Sequence, residues 1–203
     1  MRRRAIIKTA VVCAGLLPLA FLAYGFLTDT LSANPLSDLT NENGVWTLRF
    51  LILTIAVTPL RRLTGLAELT RYRRMLGLFA FFYGSLHFMT YVWFDKFFAW
   101  NEILADIPKR PFITAGVLAF SLMIPLAITS TKGWIRRLGG RKWNLLHRLV
   151  YVSAIAGAVH YLWLVKVITL PQILYASAVV LLLAMRAVIA LRVKPLRPRE
   201  IRR

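Results

Sequence analysis

Apolar residues in this chain fall into six long stretches, separated by short segments that carry most of the charge. The stretches are Thr9–Leu27, Gly44–Leu60, Met75–Phe94, Phe112–Ile128, Leu145–Val165 and Leu170–Leu191. A helix needs about 20 apolar residues to cross the hydrocarbon core of a bilayer, so each stretch predicts one spanning helix. The second and fourth stretches are short, and we expect them to tilt little or to borrow flanking residues. The pattern predicts an all-α integral membrane protein with a bundle of six transmembrane helices.

The first stretch follows a basic start and superficially matches a secretory signal. Its length, and the five further stretches behind it, favour a retained span. Pro18 lies inside this stretch and is expected to kink the helix unless neighbouring groups satisfy the carbonyl that it leaves free.

Composition agrees with a membrane protein, since 58% of the 203 residues are hydrophobic. The net charge of +19 would favour nucleic-acid binding in a soluble protein, but here the basic residues lie between apolar stretches. Twenty-two of the 27 Lys and Arg residues lie on one side of the predicted membrane and four on the other. This bias predicts that both termini face the cytoplasm. Tryptophans near the ends of the stretches are interpreted as interface residues, namely Trp46, Trp93, Trp134, Trp143 and Trp163.

The segments between the stretches are too short to hold a soluble domain. Residues 1–203 are therefore expected to form a single transmembrane domain. Residues 192–203, RVKPLRPREIRR, are expected to form a basic cytoplasmic tail.

All three histidines lie in membrane-length stretches, His87 in the third and His147 and His160 in the fifth. At about 1.5 Å per residue, His87 lies roughly 18 Å and His160 roughly 22 Å from the cytoplasmic start of its stretch. A buried polar residue in lipid marks a functional site by default. A level pair of neutral imidazoles in an apolar bundle suits the two axial positions of a haem iron. Such a six-coordinate site transfers electrons rather than activating oxygen.

The carboxylates narrow the choice of function, because all eight are expected in loops or tails. They are Asp29, Asp38, Glu42, Glu68, Asp95, Glu102, Asp106 and Glu200. A proton-coupled transporter or a carrier of hard cations is expected to place carboxylates within its spans. Their absence from the spans also removes the obvious acid–base pairs for hydrolysis.

His147 lies only about 3 Å from the cytoplasmic edge and has no histidine at its level. The residue fourteen positions before His87 is Arg73, which points to nearly the same face of the helix as His87. A second, inner haem therefore needs an unusual ligand or a single protein ligand. The alternative is that His147 snorkels to the interface.

Four arginines are candidates for binding the propionates of haem. Arg49 lies about 8 Å inside the outer end of its span, where a charge without a partner is costly. It either snorkels outward or meets a propionate. Arg73, Arg74 and Arg148 are candidates on the inner side, although each is also explained by topology.

Three blocks of the chain resemble the ferric-reductase-like transmembrane family. They are GVWTLRFLILTIAVTPLRR (Gly44–Arg62), RRMLGLFAFFYGSLHFMTYVWFD (Arg73–Asp95) and RKWNLLHRLVYVSAIAGAVHYLW (Arg141–Trp163). More closely, they resemble the haem-binding membrane subunit of the bacterial periplasmic protein-methionine-sulfoxide reductase system. The most specific parts are the RRxLGL…H and KWxxLHRLxY…H patterns. The resemblance covers nearly the whole chain.

The resemblance implies a b-type cytochrome of the bacterial inner membrane, with one or two haems b bound through His87, His147 and His160. It also implies FMN as a further electron carrier. Electrons would come from the quinone pool or a cytosolic flavin reductase. They would pass to a periplasmic molybdopterin-containing subunit, in a heterodimer, that reduces methionine sulfoxide in oxidised proteins. The catalytic chemistry would belong to that partner.

The chain departs from the larger ferric-reductase and oxidase relatives in two respects. It lacks their fourth histidine, which would lie near Arg73, and their C-terminal flavin–nicotinamide domain. Two other functions stay open: a stand-alone ferric reductase, which the same spans would serve, and a transition-metal transporter with histidine ligands. The wide spacing of the histidines and the carboxylate-free spans disfavour the transporter.

Overall fold

The computed structural model describes residues 2–192, and the side chains from Ala5 onward. This part of the chain folds into eight α-helices: α1 (Arg2–Leu27), α2 (Pro35–Thr64), α3 (Arg73–Thr90), α4 (Trp100–Lys109), α5 (Pro111–Ile128), α6 (Lys132–Leu146), α7 (Leu149–Trp163) and α8 (Leu170–Arg192). A 3₁₀-helix (Ala67–Arg71) precedes α3, and a π-helical turn (Tyr91–Asp95) extends it. The expected basic tail lies outside the described residues except for Arg192.

Five of these helices are long and apolar enough to cross a membrane by themselves: α1, α2, α3 with its π-helical turn, α5 and α8. Helices α6 and α7 make a sixth candidate span when they are counted together, but they are bent by 42° at their junction. The predicted span Leu145–Val165 is therefore not one continuous helix in the structure. The helix is interrupted at His147 and Arg148, and α7 alone is only 15 residues long.

Helix α2 begins nine residues before the apolar stretch that predicted it. The side chain of Asn34 accepts a hydrogen bond from the Ser37 N–H (3.2 Å), and Pro35 occupies the first turn, where its missing N–H costs nothing. Asp38 and Glu42 were expected in a loop, but they lie within α2 because these start signals precede the apolar residues. Asp38 lies in the first turn, where the helix dipole favours a carboxylate.

The proline in α1 is compensated by a neighbouring helix. Pro18 disturbs the hydrogen-bond ladder of its turn. The Tyr83 hydroxyl of α3 enters there, accepting from the Leu19 N–H (3.2 Å) and donating to the Gly15 carbonyl (2.8 Å). Tyr83 is fully buried, so this bridge joins α1 to the core of the bundle.

The proline in α2 is compensated in the same way from α8. Pro59 has no N–H to donate to the Ile55 carbonyl four residues earlier. Arg186 donates to that carbonyl through Nη1 (3.0 Å) and to the Tyr151 hydroxyl through Nη2. Arg186 therefore lies inside a span because it satisfies the carbonyl that Pro59 leaves without a backbone donor.

Four helices form the central bundle. Helix α2 packs mainly on α3, and α5 packs mainly on α7. Smaller contacts join α3 to α5 and α2 to α7, so the four helices lie at the corners of a square. Helix α3 is therefore diagonally opposite α7. Their buried residues meet in one core that includes Leu51, Ile55, Tyr83 and Ala154. Helix α8 covers α2 and α7, and α1 lies against α2.

A short connection between α3 and α5 closes one end of the bundle. Its helix α4 packs on α5 and buries Ile103. Lys96 at the end of the π-helical turn binds Asp106 of α4 (2.6 Å), and both side chains are nearly covered. Tyr91 donates to the same carboxylate (3.2 Å), so three groups fix α4 to the end of α3.

Candidate functional site

His87 of α3 and His160 of α7 face each other across the diagonal of the central bundle. Their ring centres are 5.9 Å apart, and the ring planes make an angle of 75°. The structure thus brings together the two histidines that sequence counting placed at one level. Both side chains are half-buried among apolar helices.

Each imidazole rests on a backbone carbonyl of a neighbouring helix. His87 Nδ1 donates to the Thr40 carbonyl of α2 (2.8 Å), and His160 Nδ1 donates to the Phe112 carbonyl of α5 (2.6 Å). A carbonyl can only accept, so each ring carries its proton on Nδ1 and presents the Nε2 lone pair. This arrangement is typical of metal-ligating histidines, whose second nitrogen is fixed by a backbone carbonyl or a carboxylate.

A glycine lies one helical turn beyond each of these carbonyls and makes room for the ring. A Cβ at Gly44, four residues after Thr40, would lie 3.0 Å from His87 Nδ1 and Cε1. A Cβ at Gly116, four residues after Phe112, would lie 2.7 Å from His160 Nδ1. The same device, a carbonyl at position i and a glycine at position i+4, therefore seats both rings. We call these two arrangements the imidazole seats.

The two imidazoles fit the axial positions of one haem iron. Two imidazole–metal bonds of about 2 Å, together with the distance from each nitrogen to its ring centre, need roughly 6 Å between ring centres. The observed separation of 5.9 Å matches this requirement. Within residues 2–192, no group of three or more His, Cys, Asp or Glu side chains could hold a metal ion by itself. A pair of ligands suits a porphyrin, which supplies the remaining four.

His147 is not brought to this pair. It lies in the turn between α6 and α7, and His160 is eleven residues beyond the start of α7, roughly 16 Å along the axis. His147 Nδ1 contacts the Trp143 carbonyl (3.0 Å), and the indole of Trp143 stacks on the imidazole with ring centres 3.7 Å apart. His147 Nε2 is buried and has no hydrogen-bond partner among the described residues.

The candidate arginines differ in burial. Arg74 and Arg148 are exposed, whereas Arg49 and Arg73 are half-buried. Arg73 lies near enough to His147 for their charges to interact. Arg49 donates through Nε to the Tyr175 hydroxyl of α8 (2.7 Å).

Sequence reasoning missed the residues that position the ligands. The imidazole seats at Gly44 and Gly116 left a weak signal, because glycine within an apolar span often marks close approach of another group. Trp143 was interpreted as an interface residue, but its ring stacks on His147. Tyr175 and Arg186 left no signal, since their contacts join distant parts of the chain.

Comparison with known proteins agrees with these features. Residues 43–158 match the family model described as the ferric reductase like transmembrane component. The matched segment contains His87 and His147 and ends two residues before His160.

Curated relatives match over most of their length. The protein of Herminiimonas arsenicoxydans is 58% identical over 159 residues, covering 78% of this chain and 73% of the relative. That of Azospira oryzae is 52% identical over 192 residues, covering 94% and 82%. That of Rhodospirillum rubrum is 47% identical over 185 residues, covering 91% and 89%. Each is named a protein-methionine-sulfoxide reductase heme-binding subunit, MsrQ.

The resemblance noted in the three sequence blocks is therefore confirmed. The chain belongs to the ferric-reductase-like transmembrane family, in the group whose curated members are named heme-binding subunits of protein-methionine-sulfoxide reductase.

Proposed function

We propose that this chain is a b-type cytochrome of the bacterial inner membrane that carries electrons to a periplasmic methionine sulfoxide reductase subunit. The observation that carries the proposal is the pair of facing imidazoles, His87 and His160, each fixed through Nδ1 by a backbone carbonyl. With both axial positions filled by protein, an iron centre has no open position for substrate. Transfer of electrons is then the function that remains.

In this proposal His87 and His160 are the axial ligands, and bound haem b supplies a one-electron couple between ferric and ferrous iron. The Thr40 and Phe112 carbonyls hold the two rings in the ligating tautomer. The apolar helices around the pair would exclude water, and the two carbonyls limit movement of the rings.

His147 is proposed as a ligand at a second, inner haem. Its buried Nε2 lacks a partner, and an unpaired buried nitrogen costs free energy unless something binds it. Extraction of haem should then yield about two haems per chain, and His147→Ala should remove the inner one only. A wild-type yield of one haem, unchanged in His147→Ala, would contradict this assignment.

We use the burial of the four candidate arginines to choose between them as partners of the haem propionates. Arg49 and Arg73 are half-buried and are the better candidates for pairing with propionates. Arg74 and Arg148 are exposed, so for these two the topological explanation is sufficient.

Membership of the family supports a proposal for the source and the recipient of the electrons. Electrons would enter from the quinone pool or from a cytosolic flavin reductase, with both termini cytoplasmic, and FMN would serve as a further carrier. They would leave to a molybdopterin-containing partner, which performs the reduction of methionine sulfoxide. The relatives are named as subunits of a protein-methionine-sulfoxide reductase, which supports a partner subunit that reduces methionine sulfoxide.

The experiment is electron transfer in proteoliposomes. The purified chain should give a reduced-minus-oxidised spectrum with b-type bands. After reduction, the haem should be reoxidised by the periplasmic subunit together with a protein containing methionine sulfoxide, and much more slowly if either is omitted. Equally fast reoxidation by ferric chelates without that subunit would favour a stand-alone ferric reductase. Metal uptake by a preparation that binds no porphyrin would favour a transporter.

A further inference from the structure

Arg49 is held within the membrane by aromatic residues rather than by a carboxylate. Its Nε donates to the Tyr175 hydroxyl (2.7 Å), and its guanidinium carbon lies 4.4 Å from the ring centre of Trp46. Within the described residues, no ion pair includes Arg49. The side chain is therefore fixed in place with no carboxylate of the described residues in contact with it. A charge at this depth is costly, so an arrangement that preserves it needs a reason.

The hydrogen bond to Tyr175 determines which donors are left. Guanidinium has five N–H donors in a planar fork, and Tyr175 takes the one at Nε. The terminal Nη1 and Nη2 groups make no hydrogen bond with the described residues. These two groups form the part of the fork that binds a carboxylate or phosphate through two parallel bonds.

Tyr175 also connects this cation to the end of α7 that carries the ligand. Its ring contacts Tyr161 edge to face, with centres 5.7 Å apart, and Tyr161 directly follows His160. Along α2, Arg49 is five residues beyond Gly44, which contacts His87, and this is roughly 7.5 Å of helix rise. Arg49 is therefore within two helical turns of the residue that contacts His87, and Tyr175 and Tyr161 connect it to His160.

We propose that Tyr175 is a positioning residue that orients the Arg49 guanidinium so that its terminal N–H groups receive a carboxylate of the cofactor. The inference rests on the proposed function, because b-type haem supplies the carboxylates as propionates. A cation that pairs with a propionate would offset the negative charge of that carboxylate, which otherwise stabilises the oxidised iron, so the pairing would favour the reduced state. Tyr175 thereby sets the reduction potential without contacting the cofactor.

The test is an equilibrium redox titration of the purified full-length chain, following the haem absorbance that depends on His87 and His160. Arg49→Gln removes the charge and should lower the equilibrium constant for reduction about tenfold, a shift of about 59 mV to more negative potential. Tyr175→Phe removes only the hydroxyl, so haem content should stay within about twofold of the wild type. Its shift should have the same sign and be smaller.

A double-mutant cycle separates positioning from packing. In the Arg49→Gln background the charge is already absent, so adding Tyr175→Phe should cause no further shift. Tyr151→Phe is the matched control, because Tyr151 binds another arginine, Arg186, in the same bundle. It should leave this potential unchanged.

The outcomes are distinct from failure of the proposed function. If Tyr175→Phe leaves the potential unchanged while Arg49→Gln shifts it, Tyr175 does not position the arginine. A further shift on adding Tyr175→Phe to Arg49→Gln, or an equal shift in Tyr151→Phe, would also overturn the inference. Loss of the Tyr175→Phe effect on delipidation would assign the oxyanion to a lipid phosphate instead. The proposed function itself fails if His87→Ala and His160→Ala both keep the full haem content of the wild type.

Discussion

At the scale of single residues, the imidazole seats explain how two histidines in lipid can be fixed without any carboxylate. Each ring uses one nitrogen on a carbonyl whose own helix supplies a glycine one turn later. A carbonyl oxygen has two lone pairs, so it can accept from the ring and still take part in the helical ladder. A side chain at the glycine position would block the approach of the imidazole to this carbonyl, and glycine has none. The seats are therefore as much part of the site as the histidines.

Gly116→Ala should weaken haem binding, because the new Cβ would lie 2.7 Å from His160 Nδ1 and the ring must move. Disturbing the groups that orient a ligand commonly costs 10- to 100-fold in affinity, so we expect a loss of about tenfold or more. Haem titration of the apoprotein measures this. Gly157→Ala on α7 is the matched control, since its Cβ would make only ordinary contacts at 3.7 Å or more. Equal losses in both variants would contradict the role of the seat.

Sequence reasoning at this scale succeeded where counting along one helix was sufficient. The levels of His87 and His160 follow from the rise per residue, and the two rings do meet. It failed where a contact joins separate helices, as for Trp46 and Tyr175 around Arg49. Whether a lone arginine in a span snorkels or is held by aromatic residues depends on neighbours that the sequence does not order in space.

At the scale of helices, the prolines within spans determine where one helix supplies a hydrogen bond to the backbone of another. Pro18 and Pro59 each disturb the backbone hydrogen bonds of a long span, and a polar side chain from another helix compensates. In lipid no water can replace the lost bond, so such compensation is strongly favoured. Hydropathy predicted six spans, and five of them are single long helices. The break at His147 and the early start of α2 depend on local backbone chemistry instead.

The compensation at Pro59 predicts a rescue. Arg186→Leu should lower the free energy of unfolding by about 1–3 kcal/mol, because the Ile55 carbonyl would be left unpaired. In a Pro59→Ala background the alanine N–H can bond to that carbonyl, so the same substitution should cost clearly less. Denaturant unfolding of the four proteins in one detergent measures the difference. Equal costs in both backgrounds would show that Arg186 stabilises the bundle in another way.

The connection between α3 and α5 should respond to pH through the ion pair of Lys96 and Asp106. The hydrogen bond with Lys96 holds the pKa of Asp106 below its ordinary value of 3.8, and that with Asp106 raises the pKa of Lys96 above 10.5. The lowered carboxyl pKa contributes stability that is present above pH 3.8 and is lost as pH falls through the folded-state value. The raised lysine pKa contributes stability that is present below pH 10.5 and is lost above it.

We therefore expect hydrogen-exchange protection of α4 to be constant between these limits and to fall outside them. Asp106→Asn removes the ion pair and should give lower protection at neutral pH with little change on acidification. If the wild-type protection factors instead change near pH 6 to 7, groups other than this pair control α4.

At the scale of the whole molecule, the bundle places its two candidate ligands on diagonal helices. Helices α2 and α5 supply the seats, and α3 and α7 supply the histidines, so all four central helices build one site. The family and the helical membrane architecture were predictable from motifs and hydropathy. The predicted count of six spans requires α6 and α7 to be taken together across a 42° bend.

The central claim is that His87 and His160 bind the same iron, and the spin and coordination state of the haem tests it most directly. Electron paramagnetic resonance of the oxidised wild-type protein should show a low-spin, six-coordinate ferric haem. In both His87→Ala and His160→Ala that signal should be lost, with release of the haem or conversion to a high-spin, five-coordinate form. A low-spin signal that persists unchanged in either variant would contradict the account.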